Sequence, residues 1–590
     1  MFCHPFVREQ KRLSFMKVIY NWHSNNIRGD IFGGITAGIV ALPLALAFGV
    51  QSGAGAVAGL YGAIALGIFA ATFGGTSTQI SGPTGPMTVV SALVVVKAIE
   101  GYGSFEAGMG FIICIFVLAG FAQILFGVLQ LGAYIKYIPY PVVSGFMSGI
   151  GGIIILLQVF PFFGQTSPKK VADVITHITD VIPLINWEAV IIACSTIAII
   201  YLFPIVTKAV PSTLVALISM TIVTTLMGLE MPVIGTIPFS IPELKLGAIA
   251  SIHATDITLI VELALTLALL GAIDSLLTSV IADNITKTKH HSNRELVGQG
   301  IGNIIAGFIG GLPGAGATMR TIVNINAGGQ TPLSGVVHGI LLLGILLGLG
   351  NYAEEIPIPV LAGILITVGV GIIDYKGFRH IKSVPRTDAV VMLIVLGMTI
   401  FVDLIQAVAV GLILSSILFM KQMSDQLASE VTILPIKENC RQWWKENIPD
   451  SIGDKIYVKH FPGPIFFGFA PALQAMADKL PDVRVVVLRM MNVPHIDQTG
   501  LYALEEVVLG MHKRNIAVVI TGLQAQPYRM LQRINLIPGL IPESYLFDKV
   551  EDCIQWLGEE LRQTTGSDQA FFEKLNEIRN ENKASFKYRM

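Results

Sequence analysis

The 66 residues from Ile31 to Val96 contain no Lys, Arg, Asp or Glu. A helix crosses the hydrocarbon core of a bilayer with about 20 apolar residues. This run therefore has the length and character of three membrane spans. The whole chain is 53% hydrophobic and only 13% charged, against roughly 25% charged in a soluble domain. Its charges sit mostly at the ends. Of 79 charged residues, 7 precede Ile31 and 41 follow Met420, which leaves 31 for the 390 residues between. The chain reads as a polar head (1–30), a membrane body (31–420), a linker (421–453), a soluble domain (454–563) and a polar tail (564–590). The net charge of −1 offers no basic field for phosphate backbones, so nucleic acid is not an expected partner. No HExxH, P-loop or zinc spacing is present, and no nucleophile–base set is visible. An enzyme is not expected.

Uncharged runs recur at 107–135, 137–168, 189–207, 209–229, 296–319, 321–353, 356–373, 389–402 and 404–420. A span near 256–284 carries a few acids. Divided at Gly/Pro breaks, these runs give about 14 α-helical membrane segments. With both ends on one side, Lys136, Lys208, Lys287, Lys289, Arg294, Lys376, Arg379, Lys382 and Arg386 fall on the side of the termini. Only Lys97, Lys169, Lys170 and Lys245 fall opposite. Cationic loops stay cytoplasmic. The head (Arg8, Lys11, Arg12, Lys17, Arg28) is basic too and lacks the form of a cleaved signal peptide. The expectation is a multi-pass protein of the cell (inner) membrane with cytoplasmic termini.

Two stretches resemble each other across the body. Gly74–Thr88 (GGTSTQISGPTGPMT) and Gly310–Thr321 (GGLPGAGATMRT) each carry a GG pair, a Gly/Pro-rich stretch and a Thr before an apolar run. Such breakers free backbone groups that lipid cannot satisfy, so they must face protein or a water-lined cavity. Paired broken segments point to a transporter binding site. A half-helix starting near Thr84 or Thr318 aims free N–H groups into that cavity, each terminus acting as roughly +0.5 charge. The pair favours an anion. Asp274 and Thr278, spaced i,i+4, share one helix face. A charge at membrane depth is costly and usually functional or paired; Arg320 is the other deep charge and the natural partner of Asp274.

The runs Gly29–Gly38 (GDIFGGITAG), Gly82–Thr88 (GPTGPMT) and Glu295–Asn303 (ELVGQGIGN) resemble those of SulP-type inorganic anion transporters, most closely the sodium-dependent bicarbonate group. The resemblance implies a 7+7 inverted repeat with core and gate domains, a homodimer and a cytoplasmic α/β STAS domain. It implies that Thr84 and Gly85 bind the anion at one half-helix, and Ala317 and Thr318 at the other, mainly through backbone N–H groups. It also implies that Asp274, Thr278, the Gly316 carbonyl and Thr318 hold sodium, with no other cofactor. Arg320 departs from the bicarbonate group, which has a small residue there, and matches many sulfate and dicarboxylate carriers. If it faces the cavity it joins the anion-binding set. Its added positive charge would weaken the need for sodium and admit sulfate.

The tail fits the same picture. Strand patterns at Lys455–Phe461, Val483–Met491 and Ile516–Leu523 alternate with helical patterns near 469–480, 499–514 and 548–562. The loop Ile496–Gly500 resembles the STAS Asp-x-Ser/Thr-Gly loop, and Thr499 stands at its hydroxyl position. A scaffolding role in the dimer is expected of this domain. The expected function is secondary active transport of a small inorganic oxyanion, of the bicarbonate or sulfate class, coupled to sodium or protons. The alternatives are an anion channel or exchanger on the same scaffold, or a membrane-anchored STAS sensor.

Overall fold

The structure is a computed structural model. It describes residues 26–134, 138–168, 171–207, 210–234, 256–402, 404–429, 433–436, 453–478, 483–563, 570 and 573–575. Arg8, Lys11, Arg12, Lys17, Lys136, Lys169, Lys170, Lys208 and Lys245 lie outside the described residues. The chain forms two compact units, Met1–Ser415 and Ser416–Met590.

Among the described residues, fourteen principal helical segments precede the sheet of the second unit, eight of them long and apolar enough to cross a membrane. The first seven are α1 Ile27–Gln51, α2 Ala56–Phe73, α3 Gly85–Tyr102, α4 Met109–Val128, α5 Tyr140–Leu157, α6 Trp187–Val206 and α7 Ser212–Met227. The second seven are α8 Ile257–Thr286, α9 Ser292–Phe308, α10 Thr318–Asn326, α11 Leu333–Ala353, α12 Ile358–Ile372, α13 Arg386–Phe401 and α14 Leu404–Ser429. The third and tenth, α3 (18 residues) and α10 (9 residues), begin at breaks in the helical run. Each follows a two-residue strand, β1 Ser81–Gly82 or β2 Ala315–Gly316, and the strands pair antiparallel, Ser81 with Gly316 and Gly82 with Ala315. An antiparallel ribbon requires its strands to arrive from opposite directions, which an inverted repeat supplies.

Packing separates two helix groups. In one, α4 lies along α9, α1 along α11 and α8 along α4. Gly120 and Gly300 make the α4–α9 crossing possible: a Cβ on either would sit within 2.6 Å of the other's carbonyl oxygen. This close approach is the use membrane helices make of small residues. In the other group, α5 packs on α13 and α12, and α6 on α7 and α12. The core–gate division follows: α1–α4 with α8–α11, and α5–α7 with α12 and α13. Asp374, between α12 and α13, ties the gate group. It accepts from Tyr140 Oη (2.5 Å), Ser144 Oγ (2.6 Å) and Gly377 N (3.2 Å). Burial pushes its carboxyl up, but these bonds outweigh burial and hold it below the usual carboxylate range.

The second unit is a five-stranded sheet with helices. Its strands are β3 Ile433–Pro435, β4 Ile456–His460, β5 Val485–Arg489, β6 Ala517–Thr521 and β7 Leu546–Phe547, in the order β3-β4-β5-β6-β7. The last four run parallel, and β3 is antiparallel to β4. The helices are α15 Ala470–Asp478, α16 Gln498–Lys513, α17 Ala525–Arg533 and α18 Val550–Gln563. Three strands and three helices lie where the sequence pattern puts them. The domain boundaries are wider. Strand β3 lies inside the expected linker and pairs with the sheet, and α14 reaches into the start of that linker as far as Ser429. Leu575, in the expected polar tail, is buried in this unit's core and accepts from Tyr545 Oη. A three-residue edge strand and a single buried leucine are too short to show periodicity.

Candidate functional site

The ribbon sets the site. Side chains from α8 and α9, rather than lipid, bond the ribbon and the chain beside it. Gly316 N donates to Ser275 Oγ (3.0 Å), Gly314 N to Asn303 Oδ1 (2.8 Å), and Gln299 Nε2 to Ser81 Oγ (2.6 Å). Glu295, buried, accepts from Gly75 N (2.8 Å), Thr76 N (2.9 Å) and Gln79 Nε2 (2.8 Å). Sequence reasoning did not place Glu295, Gln299 and Asn303 at the site. Their i, i+4, i+8 spacing was the available signal, a polar stripe on one face of a membrane helix.

Both half-helices leave their first amides unpaired. In α3, the first i→i−4 bond runs from Thr88 N to Thr84 O. Gly85 and Met87 therefore present free N–H groups, while Pro86 has none. In α10, the first such bond runs from Thr321 N to Ala317 O, which frees the amides of Thr318, Met319 and Arg320. Ala317 differs from expectation. Its own N–H donates to Ile80 O at 2.8 Å, so the ribbon uses it and it is not available to an anion. Thr84 Oγ1 and Thr88 Oγ1, one turn apart on α3, are buried without a partner. Gly85 faces the gate group: a Cβ there would meet Ile154 Cδ1 at 2.8 Å and Ile372 Cδ1 at 3.0 Å. The site thus lies where core meets gate. A cavity of about 220 Å³ also opens between core and gate, lined by Gln51, Ala92, Val96, Gln158 and Leu361 among others, farther along α3 and touching none of the site residues.

Three of the four expected cation ligands, Thr278, Gly316 and Thr318, meet. Thr278 Oγ1 donates to Gly316 O (2.9 Å) and shares a 2.8 Å hydrogen bond with Thr318 Oγ1. Asp274 lies one turn before Thr278 and near Thr84, yet Asp274 Oδ2 and Thr84 Oγ1 have no hydrogen-bond partner. The carbonyl and two hydroxyls that meet here, with the Asp274 carboxylate one helical turn away, are hard oxygen donors of the kind a hard cation prefers. Arg320 is not the partner of Asp274. Residue Arg320 is 1% exposed; its Nη2 donates to Pro83 O (2.9 Å), and Nε and Nη1 have no partner. Gly82 makes room for it, since a Cβ there would lie 2.3 Å from Nη1.

In the second unit, Asp497 caps α16: its Oδ1 accepts from Gly500 N (2.7 Å) and its Oδ2 from Phe467 N (3.0 Å). Thr499 in the same turn is exposed. Lys459 on β4 is buried without a hydrogen-bond partner, 5.7 Å from the Phe461 ring centroid, and burial pulls its ammonium down to about 8.

A body of apolar helices with two broken segments meeting at a ribbon, followed by an α/β unit, is the architecture of a multi-pass membrane transporter. The chain belongs to the sulfate permease family, whose model matches residues 27–395, and a STAS domain model matches residues 447–553. It is 39% identical to the bicarbonate transporter BicA of Synechocystis, over 92% of this chain and 96% of that one. It is 30% identical to the putative sulfate transporter YvdB of Bacillus subtilis, over 83% and 90%. The solved transmembrane domain of a cyanobacterial BicA matches with a TM-score of 0.62 at 44% identity, over 65% of this chain and 98% of that one. The murine Slc26a9 anion transporter shares the fold, with a TM-score of 0.77 at 18% identity, over 92% and 93%.

Proposed function

We propose that this protein is a secondary active transporter of small inorganic oxyanions, of the bicarbonate or sulfate class, coupled to sodium or protons. One observation carries the reading. Two half-helix N-termini are fixed beside each other by a ribbon, with free amides and an unpartnered Thr84 hydroxyl at the core–gate boundary. Such termini hold anions through N–H groups and dipole together. Relatives named as bicarbonate and sulfate transporters support the substrate class. The Asp274, Thr278, Gly316 and Thr318 oxygens supply the cation position, and the ion there offsets the anion's charge. The gate isoleucines against Gly85 close one approach, and movement of core against gate opens the other. The protein works as a homodimer in the cell membrane with cytoplasmic termini, and the STAS unit serves as a scaffold.

The test is uptake of labelled bicarbonate and of sulfate by proteoliposomes, with and without a sodium gradient. Concentrative uptake driven by a cation gradient is expected. Flux of either anion that only follows its own gradient would mark a channel, and no flux with correctly inserted protein would leave a sensor.

A further inference from the structure

The turn that joins α12 to α13 carries four cations and no acid between Tyr375 and Thr387: Lys376, Arg379, Lys382 and Arg386. All four are exposed. None of their side chains has a hydrogen-bond or ion-pair partner among the described residues. The flanking acids do not neutralise them. Asp374 is taken up by Tyr140 Oη and Ser144 Oγ of α5 and by Gly377 N. Asp388 lies in the first turn of α13, where it answers the helix's own N-terminal dipole. Four cations against two acids leave an excess of two positive charges.

Cationic loops are common beside membrane helices, but this one also has a fixed backbone. Asp374 N donates to Ser148 Oγ (3.1 Å), which with the Tyr140 and Ser144 bonds ties the start of the turn to α5. A Cβ on Gly377 would lie 2.6 Å from Ser144 Oγ, so the chain runs close against that helix. Backbone bonds then carry the turn onward, Phe378 N to Asp374 O, Ile381 N to Phe378 O and Val384 N to His380 O. A backbone set in advance lowers the ordering cost of binding a partner. The turn ends one membrane helix and begins another, so its natural partner is the bilayer surface. Tyr140 is 58% exposed and Tyr375 57%, and tyrosines at helix ends sit at headgroup depth. We propose that the α12–α13 turn is a binding surface for anionic phospholipids, with its four cations on the phosphates and the two tyrosine rings among the headgroups. Clusters of about four or more Lys/Arg at the end of a membrane helix attract anionic lipid in this way. The elements that meet there, α5, α12 and α13, all belong to the gate group. Bound lipid therefore holds at the bilayer surface the group against which the core moves.

The test titrates phosphatidylglycerol into the full chain in neutral detergent, counts retained lipid by native mass spectrometry and follows thermal stability in parallel. Each cation removed should weaken retention about fivefold, the equivalent of about 1 kcal/mol. Arg379→Gln with Lys382→Gln should therefore need roughly 25-fold more phosphatidylglycerol for the same occupancy. Lys287→Asn with Lys289→Gln removes two cations from the α8–α9 turn instead, and should shift occupancy by less than about fivefold. Should the first double variant fail to fold, Lys382→Gln alone should show the single fivefold step. Equal losses in the two double variants would reduce the effect to overall surface charge and overturn the site. Unchanged retention in the first double variant would overturn it too, as would equal stabilisation by soluble glycerol phosphate, which would mark a site for free phosphate. Lipid retention is read without transport. Failure here leaves the transporter reading standing, and a protein that carries no oxyanion would still pass this test.

Discussion

Thr318→Pro isolates the backbone's share of anion recognition. Thr318 is the first residue of α10, where proline is well tolerated because the lost N–H has no intrahelical acceptor. The residue before a proline prefers extended backbone, and Ala317 already sits at φ −99°, ψ 108°. The helix should survive while one of its three free amides disappears. A hydrogen bond to a charged group contributes about 1.5–3 kcal/mol, and each 1.4 kcal/mol is tenfold in affinity. The loss of anion affinity should therefore be roughly 10- to 150-fold. Thr318→Ala keeps the amide and removes only the hydroxyl. Thr278 retains its bond to Gly316 O, so that change should cost less than about tenfold. Proteoliposome uptake over a range of bicarbonate and sulfate concentrations measures both variants, with size-exclusion profiles checking the fold. A well-folded Pro variant with wild-type uptake would refute the role given to the half-helix amides.

Asp274→Asn keeps the shape of the cation site but removes its charge, so uptake should lose its sodium stimulation while its sodium-free component remains; a sodium series decides. Arg320→Gly removes the buried positive charge beside Pro83, and should make uptake more sodium-dependent and shift preference toward monovalent anions. Unchanged sodium dependence and selectivity, at any overall rate, would show that this charge does not reach the site. Lys459→Met tests a buried cation in the second unit. Folding lowers this lysine to about 8, so between about pH 8 and the ordinary lysine value near 10.5 the unfolded chain holds the extra proton and stability rises with pH. The wild-type 416–590 fragment should show that rise in urea unfolding, and the Met variant should lose it and be more stable near neutral pH.

Much of this architecture was legible in one dimension. Uncharged runs and Gly/Pro breaks locate the segments, because lipid penalises charge and unpaired backbone so heavily that few patterns survive. The two broken helices were legible for the same reason. Pairing was not. Charge alone suggested a salt bridge between Asp274 and Arg320, but Pro83 O takes the guanidinium. The use of the Ala317 amide by Ile80 O was equally hidden, since a two-residue strand has no period to detect. The supporting stripe Glu295, Gln299 and Asn303 was present in the spacing, yet its partners lie over 200 residues away in the case of Gly75 and Ser81.

The β1–β2 ribbon also dictates an order of events during synthesis. Its strands come from opposite halves of the chain, and bonds across the site join residues as far apart as Arg320 and Pro83, separated by 237 positions. While only the first half has left the ribosome, the stretch before α3 has no ladder partner and no α9 side chains to cap it. Exposed backbone of that kind cannot rest in hydrocarbon. The first half must therefore wait, at the bilayer edge or in the care of the insertion machinery, until β2 and α9 arrive. Contacts of such long range close slowly. The anion site is thus among the last parts of the protein to exist, and a nascent chain halted after α7 should be recognisably immature and prone to degradation.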